Sequence, residues 1–416
     1  MSAGRTSALE RFLRYVAIDT RADDSSSACP STPGQRELAT LLVAELHALG
    51  IADAAVDDNG YVMATIPASP AFEQRPAIGF IAHVDTSPEM SGTKVRPIVH
   101  ERYDGRDIVL PDDPSAVLRP SDDPNLAARI GDDIVTASGT TLLGADDKAG
   151  VAAIMAAAEL LLKSDVRHGP VRIGFTPDEE IGRGADRFDV KRFNCVCAYT
   201  LDGGSRGELE YESFSADLVT VTFKGFNTHP GYAKGKMVNA IRAASDFVAS
   251  LPRHELSPET TAGYDGYVHP YDLNASVDRT TVKVLLRDFV TATLATQREL
   301  VERLAREAAA RHPGCSLEIE VKEQYRNMRQ VLDQHPLIVE RARQAIRNLG
   351  IEPLEKPIRG GTDGSRLSFM GLPTPNIFAG EHNFHSRLEW VSAQDMDFAA
   401  HVIVELARLW GERQAS

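Results

Sequence analysis

The chain has 416 residues, 43% of them apolar and 25% charged, with a formal net charge of -14. That length exceeds what a single hydrophobic core usually organises, so two domains are expected. The acidic balance excludes a nucleic-acid partner and an anionic membrane surface, each of which calls for a basic face.

Residues 4–18 read as an amphipathic helix and not a secretion signal, since the basic start, apolar block and small-residue cleavage site are missing. A second helix, RELATLLVAELHALG, ends at Gly50. Strands are expected at about 61–66 and 77–82. The span 86–130, rich in Pro and Asp, is too long for a plain loop and should carry short pairings of its own near the site. A helix at 148–163 is apolar nearly all round and therefore buried. Its run VAAIMAAAELLL falls short of the roughly 20 residues a membrane span needs, so no membrane association is expected. Cys29, Cys195, Cys197 and Cys315 give no disulfide framework; Cys195 and Cys197, two apart on a buried strand, read as core thiols of a cytoplasmic protein.

The pattern changes after about 212. SADLVTVTFKG alternates with period two, KMVNAIRAASDFVASL is helical, SVDRTTVKVLLRDFV is strand-like with a break near Asp278, TLATQRELVERLAREAAARH is helical and CSLEIEVKEQY alternates again. This order describes an α+β sandwich. HPLIVERARQAIRNLG then resumes the helix–strand alternation, and AQDMDFAAHVIVELARLWGE closes the chain as an amphipathic helix. The expected fold class is α/β, a mixed-sheet catalytic domain formed by 1–212 and 325–416, with the sandwich inserted at 213–324.

Five strand ends carry chemistry. AIGFIAHVDT ends in His83 and Asp85, LLGADDKAG presents Asp146 ahead of a helix, VRIGFTPDEE ends in Glu179 and Glu180, CVCAYTLDGG ends in Asp202, and TPNIFAGEHNFH ends in His382 and His385. In open α/β sheets ligands gather outside the carboxyl ends of the strands. These oxygen and nitrogen donors suit zinc or a similar divalent ion, and there are too many for one tetrahedral ion. They point to a two-metal hydrolase. His83 and Asp85 face the same way on an extended segment, so both can ligate, or the acid can orient the histidine. Asp146 and Asp147 are either helix caps or, for one of them, a bridge between ions about 3.5–4 Å apart; Asp146 is favoured. Glu179 and Glu180 diverge, so one ligates and the other serves as general base. Asp202 in LDGG, taken alone, is a turn.

HVDTSPEMSG, GTTLLGADDKAGV, TPDEEIGRGADRFD, YTLDGG, THPGYAKGKMVNA, KPIRGGTDGSRLSFMGLPTPN and NFHSRLEWV span nearly the whole chain. In this order they resemble the co-catalytic zinc peptidases that include carboxypeptidase G and the aminoacylases, and among them the aminopeptidases that act on tripeptides. The resemblance implies a zinc-exopeptidase catalytic domain with two Zn2+ per subunit, cobalt or manganese being substitutes. It implies that His83 and Asp202 hold one ion and Glu180 and His385 the other, that Asp146 bridges them, that Glu179 is the base and that Asp85 orients His83. His382 stands where the family carries an aromatic, and the register with Glu389 and Trp390 assigns ligation to His385. His229, in THPG, resembles the histidine that binds the substrate carbonyl or oxyanion, often from the neighbouring subunit. That implies a homodimer formed through the inserted lid domain. Asn239, Arg287 and Arg359 match residues that grip the peptide backbone and its C-terminal carboxylate, although Arg287 also reads as an ordinary surface ion pair. The implied partner is a small peptide. The nearest alternative is a metal-dependent dipeptidase or an N-acyl amino acid amidohydrolase.

Overall fold

The computed structural model describes residues 6–412, so Gly4 and Arg5 of the expected first helix lie outside the described residues. These residues form two compact units: one up to Tyr211 together with 330–356 and 362–412, and one of 212–329 with 357–361. No helix among them is long and apolar enough to cross a membrane.

Among the described residues the first unit is built on an eight-stranded mixed sheet. Its order is Ala55–Val56, Val62–Ile66, Val171–Thr176, Ile78–His83, Cys197–Gly203, Asn376–Phe378, Glu208–Glu210 and Leu354–Glu355. The four strands Val171–Thr176, Ile78–His83, Cys197–Gly203 and Asn376–Phe378 run parallel, so their carboxyl ends share one edge. Side chains alternate between faces. Phe80 stacks on Tyr199, whose hydroxyl accepts from Trp410 Nε1 on the helix Ala393–Gly411. Ile81 and Ala198 point the other way, into a cluster with Phe188, Phe193, Leu367 and Leu372. A Cβ at Gly79 would stand 2.3 Å from the Phe193 ring, so only glycine lets that ring lie on the strand.

The helix Ala145–Lys163 packs on Ala393–Gly411 and Ser7–Tyr15, and its apolar surface is buried from Ala149 to Ala158 while Leu160 and Leu162 in its last turn are exposed. The first helix stops at Tyr15, short of residue 18, and the chain turns to offer the Ile18 carbonyl to Lys148 Nζ at 2.8 Å. The irregular span after 86 does carry pairings: Ile98–His100 with Ile134–Thr136, and Ile108–Val109 with Val117–Leu118. Cys195 is not on a strand, which begins at Cys197; Val196, between them, is exposed.

The second unit has a four-stranded antiparallel sheet in the order Tyr267–Ala275, Arg279–Asp288, Ser215–Lys224, Ser316–Tyr325. Helices Ala240–Ser250 and Thr293–Ala310 cover one face, where Val219, Val221, Phe223, Val282, Val284 and Leu286 meet Phe247 and Val301. The strand Tyr267–Ala275 is absent from the sequence reading. Pro270 argues against a strand, but this one lies at the sheet edge, and its register shifts between Pro270 and Asp272. Asp278 lies in the turn that follows it. Residues 325–329 go with this unit, because Arg326 pairs with Asp217 and the Asn327 side chain accepts from Ser213 N. The short return at 357–361 does so through Ile358 N donating to Glu212 O.

Candidate metal centre

The shared carboxyl edge of the first unit brings His83, Asp146, Glu180, Asp202 and His385 together. His83 ends its strand and is 3% exposed. Its Nε2 lies 2.9 Å from Asp146 Oδ1 and 3.5 Å from Asp202 Oδ1. Asp146 Oδ2 lies 3.4 Å from His385 Nε2, which is 2.8 Å from Glu180 Oε2. One carboxylate thus presents each of its oxygens to a different imidazole, and each imidazole has a second carboxylate beside it. Glu180 Oε1 is buried and has no hydrogen-bond partner among the described residues. Donors of this type, two nitrogens and three carboxylates with an orphaned oxygen, fit a pair of divalent cations.

The backbone at these positions is held by other side chains from the same edge. Asp85 Oδ1 and Oδ2 accept from the amides of Glu179 and Glu180, both at 3.0 Å, while Oδ1 is 3.3 Å from His83 Nδ1. Asp85 therefore grips the turn bearing both glutamates as well as facing the imidazole. Asp147 accepts from His83 N at 3.0 Å and Gly150 N at 3.1 Å. The helix it opens is not regular there, since Asp146 and Asp147 depart from helical dihedrals. Asp178 precedes the Glu179 turn at φ +59 and accepts from Ser31 N, Ser31 Oγ and Gln35 Nε2. Asn376 receives Asp202 N at 3.1 Å on its Oδ1 and donates Nδ2 to Asp202 O at 3.0 Å and to Glu210 at 2.7 Å. Glu389 accepts three amides of the Leu143–Asp146 segment.

Electrostatics follow from crowded carboxylates. Burial, reinforced by Asp146, pushes the Glu180 carboxyl up to about 8, and burial pushes Asp202 up to about 6. Burial opposes charge on His385, but hydrogen bonds to Asp146 and Glu180 outweigh it and raise the ring to about 11. Acids outnumber imidazoles, so the cluster retains protons until cations displace them. Glu179 is pushed well above the ordinary carboxylate range, first by burial.

His382 is a different kind of residue from His385. It is buried and stacks on Trp390 with ring centroids 4.1 Å apart, and burial lowers it to about 4. It is a buried ring held against the Trp390 indole.

The remaining expected residues belong to the second unit. His229 is exposed, and its Nδ1 accepts from Gly231 N at 3.1 Å. Asn239 caps the helix Ala240–Ser250 by accepting from Ile241 N. Arg287 lies over the Tyr325 ring at 4.8 Å and donates to its hydroxyl, a cation–aromatic contact. Arg359 lies over Phe214 and donates to the carbonyls of Gly263 and Asp265, both at 2.8 Å.

Four residues at the edge escaped the sequence reading of the site. Asn376 sits in an apolar strand without any repeating pattern. Asp363, in GGTDGS, is buried, and desolvation raises it to about 7. Glu381 is buried against the Asp147 carboxyl, and its ligand atom lies within 4.8 Å of those of Asp146 and Asp202. Glu389 served only as a register mark. An acid that directly follows an apolar strand, as Glu381 does, was the available signal.

A parallel sheet edge that gathers two imidazole–carboxylate groups around one shared carboxylate is the architecture of a co-catalytic metallopeptidase, and the chain belongs to Peptidase family M20/M25/M40, whose model matches residues 143–409. Similar relatives include Peptidase T of Geobacillus kaustophilus, 50% identical over 98% of this chain and 99% of that one. Peptidase T of Bacillus velezensis is 49% identical over 97% and 98%. Among solved structures, aminopeptidase PepT from Bacillus cereus aligns with TM-score 0.73 at 22% identity over 98% of both chains. A tripeptidase from Staphylococcus aureus aligns with TM-score 0.75 at 20% identity over 97% of this chain and 98% of that one. A dinuclear metal-binding M20 peptidase from Bacillus subtilis shares the fold at TM-score 0.63 and 15% identity over 97% of both.

Proposed function

We propose that the protein is a di-zinc aminopeptidase that removes the N-terminal residue of tripeptides. The observation that carries the reading is Asp146, whose two oxygens face separate imidazole–carboxylate groups. Full-length relatives about half identical and named Peptidase T support the substrate class. In this reading His83 and Asp202 hold one ion, Glu180 and His385 the other, and Asp146 is common to both. Cobalt and manganese can substitute for zinc at such donors.

The ions supply a Lewis acid for the scissile carbonyl and lower the pKa of water towards neutrality. Glu179 takes the proton of the attacking water on a carboxylate oxygen and returns it to the leaving amine. Asp85 fixes the Glu179 backbone, so the base cannot drift as Glu180 is engaged. Because Gly231 N donates to Nδ1, neutral His229 carries its proton on Nε2, a donor for the developing oxyanion. The second unit acts as lid and dimerisation domain, and His229 serves the site of a second copy of the chain. Asn239, Arg287 and Arg359 are assigned to grip the peptide backbone and C-terminal carboxylate. Free Cys29, Cys195, Cys197 and Cys315 support a cytoplasmic location.

A panel of di-, tri- and tetrapeptides with free and blocked amino termini, read together with metal analysis, tests the reading. The expected result is release of the first residue from free tripeptides by protein carrying about two zinc ions per chain. Turnover confined to blocked substrates overturns it in favour of an amidohydrolase. Mixing inactive His229→Ala and Asp146→Ala proteins restores activity only if the site is shared between copies.

A further inference from the structure

Glu389 is buried, and its carboxylate is spent entirely on backbone. Oε2 accepts from Leu143 N and Gly144 N, both at 2.7 Å, and Oε1 accepts from Asp146 N at 3.0 Å. Gly144, at φ +82, gives the segment the left-handed step that turns successive amides towards one anion. The next residue, Trp390, begins a strand paired with Ile134–Thr136, so the carboxylate is mounted on a fixed support. Glu389 N also donates to Ser386 O at 3.2 Å, one residue beyond His385.

We infer that Glu389 is a positioning residue that sets where Asp146 stands, and that it does so through an all-acceptor grip which only a carboxylate can provide. This rests on the reading of Asp146 as the ligand common to both ions. The hydrogen-bond inventory makes the inference specific. A glutamine at 389 has one acceptor oxygen and one NH2 group. With its oxygen kept on the Leu143 and Gly144 amides, its NH2 faces the Asp146 N–H, donor against donor. The substitution therefore releases the residue that matters and leaves the rest of the loop held.

The test is made on the full-length protein, with Zn2+ alone as the probe. In metal-free Glu389→Gln, amide exchange followed by NMR should quicken about 10-fold at Asp146, while the Gly144 amide and the strand Val171–Thr176 keep wild-type protection. Calorimetric titration should show Zn2+ binding weakened by about 10–100-fold, in both steps. With a tripeptide, kcat should fall while KM stays within about twofold. Wild-type exchange at Asp146 with both Zn2+ steps unchanged overturns the inference, as does equal acceleration at Asp146 and across Val171–Thr176, which marks general loosening. Glu389→Asp keeps the charge but shortens the reach. It should bind Zn2+ more tightly than Glu389→Gln and less tightly than wild type, and wild-type affinity in this variant overturns the inference even if the glutamine variant does not fold. A wild-type chain that binds two Zn2+ yet cleaves no tripeptide rejects the peptidase reading alone, because exchange and Zn2+ affinity need no substrate.

Discussion

His83 and Asp202 sit in neighbouring parallel strands of the mixed sheet, whereas Glu180 sits on a 3-10 turn and His385 on a loop at φ +57. The first pair ends strands that a backbone ladder aligns, and there Asp147 accepts from His83 N while the Asn376 amide pairs with Asp202 N and O. The second pair has no ladder, and side chains must supply what the sheet supplies elsewhere: Asp85 and Asp178 for the glutamate turn, and Ser386 Oγ donating to Asn383 O for the histidine loop. Exposure differs in the same sense, 3% for the His83 side chain and 33% for that of His385. Aligned strands carry one half of the centre, a turn and a loop carry the other, and side chains lock the backbone of both.

The largest expected effect separates holding an ion from reacting beside it on the turn half. Glu179→Gln should lose about 10²–10⁴-fold in kcat with zinc content unchanged; near-normal turnover by this variant removes Glu179 as the base. The next compares the halves directly. His385→Ala should keep about one zinc ion and lower the melting temperature of the metal-free protein only slightly, whereas His83→Ala, altering a buried strand end, should lower that temperature by several degrees. Equal effects of the two would break the distinction between ladder and loop.

A smaller effect is written in the pH dependence of stability. In the metal-free protein Glu180 is raised to about 8, Asp202 to about 6 and His385 to about 11, so the folded state holds protons that the unfolded chain has released. The stabilisation is complete below the ordinary carboxylate range and is lost as pH rises through about 6 for the strand half and about 8 for the turn half. The metal-free melting temperature should therefore decline from about pH 5 to about pH 9, and zinc should flatten the curve. A metal-free midpoint that climbs over that window reverses the sign argued here. Smallest of all, Asn376→Ala should weaken one zinc step by about 10-fold by freeing the Asp202 backbone, and leave the other step unchanged.

The strand half was also the easier half to read from sequence. IGFIAH and CAYTLDG are apolar runs that stop at a polar residue, and a parallel sheet turns that pattern into a shared edge. Glu179 and Glu180 were legible as a pair, but nothing in TPDEE says that Asp85 grips their amides, because hydrogen bonds between a side chain and distant backbone leave no periodic trace. Asn376 and Glu389 were silent for the same reason. The edge strand Tyr267–Ala275 failed in another way. Its Pro270 breaks the local rule for strands, and only its place at the border of the sheet makes that tolerable. The return of 357–361 to the second unit depends on a few backbone bonds and has no compositional mark.

The split of the first unit around the second has a consequence for synthesis. His83, Asp146, Glu180 and Asp202 emerge from the ribosome in succession, but His385 and Glu389 follow only after the whole intervening unit. Roughly 180 residues separate Asp202 from His385, a delay of about 10–40 s at about 5–20 residues per second. In the proposed assignment, the nascent chain throughout that interval has Glu179 and four of the five ligand positions without the loop that carries His385. On that assignment the centre is completed only when the chain is nearly whole.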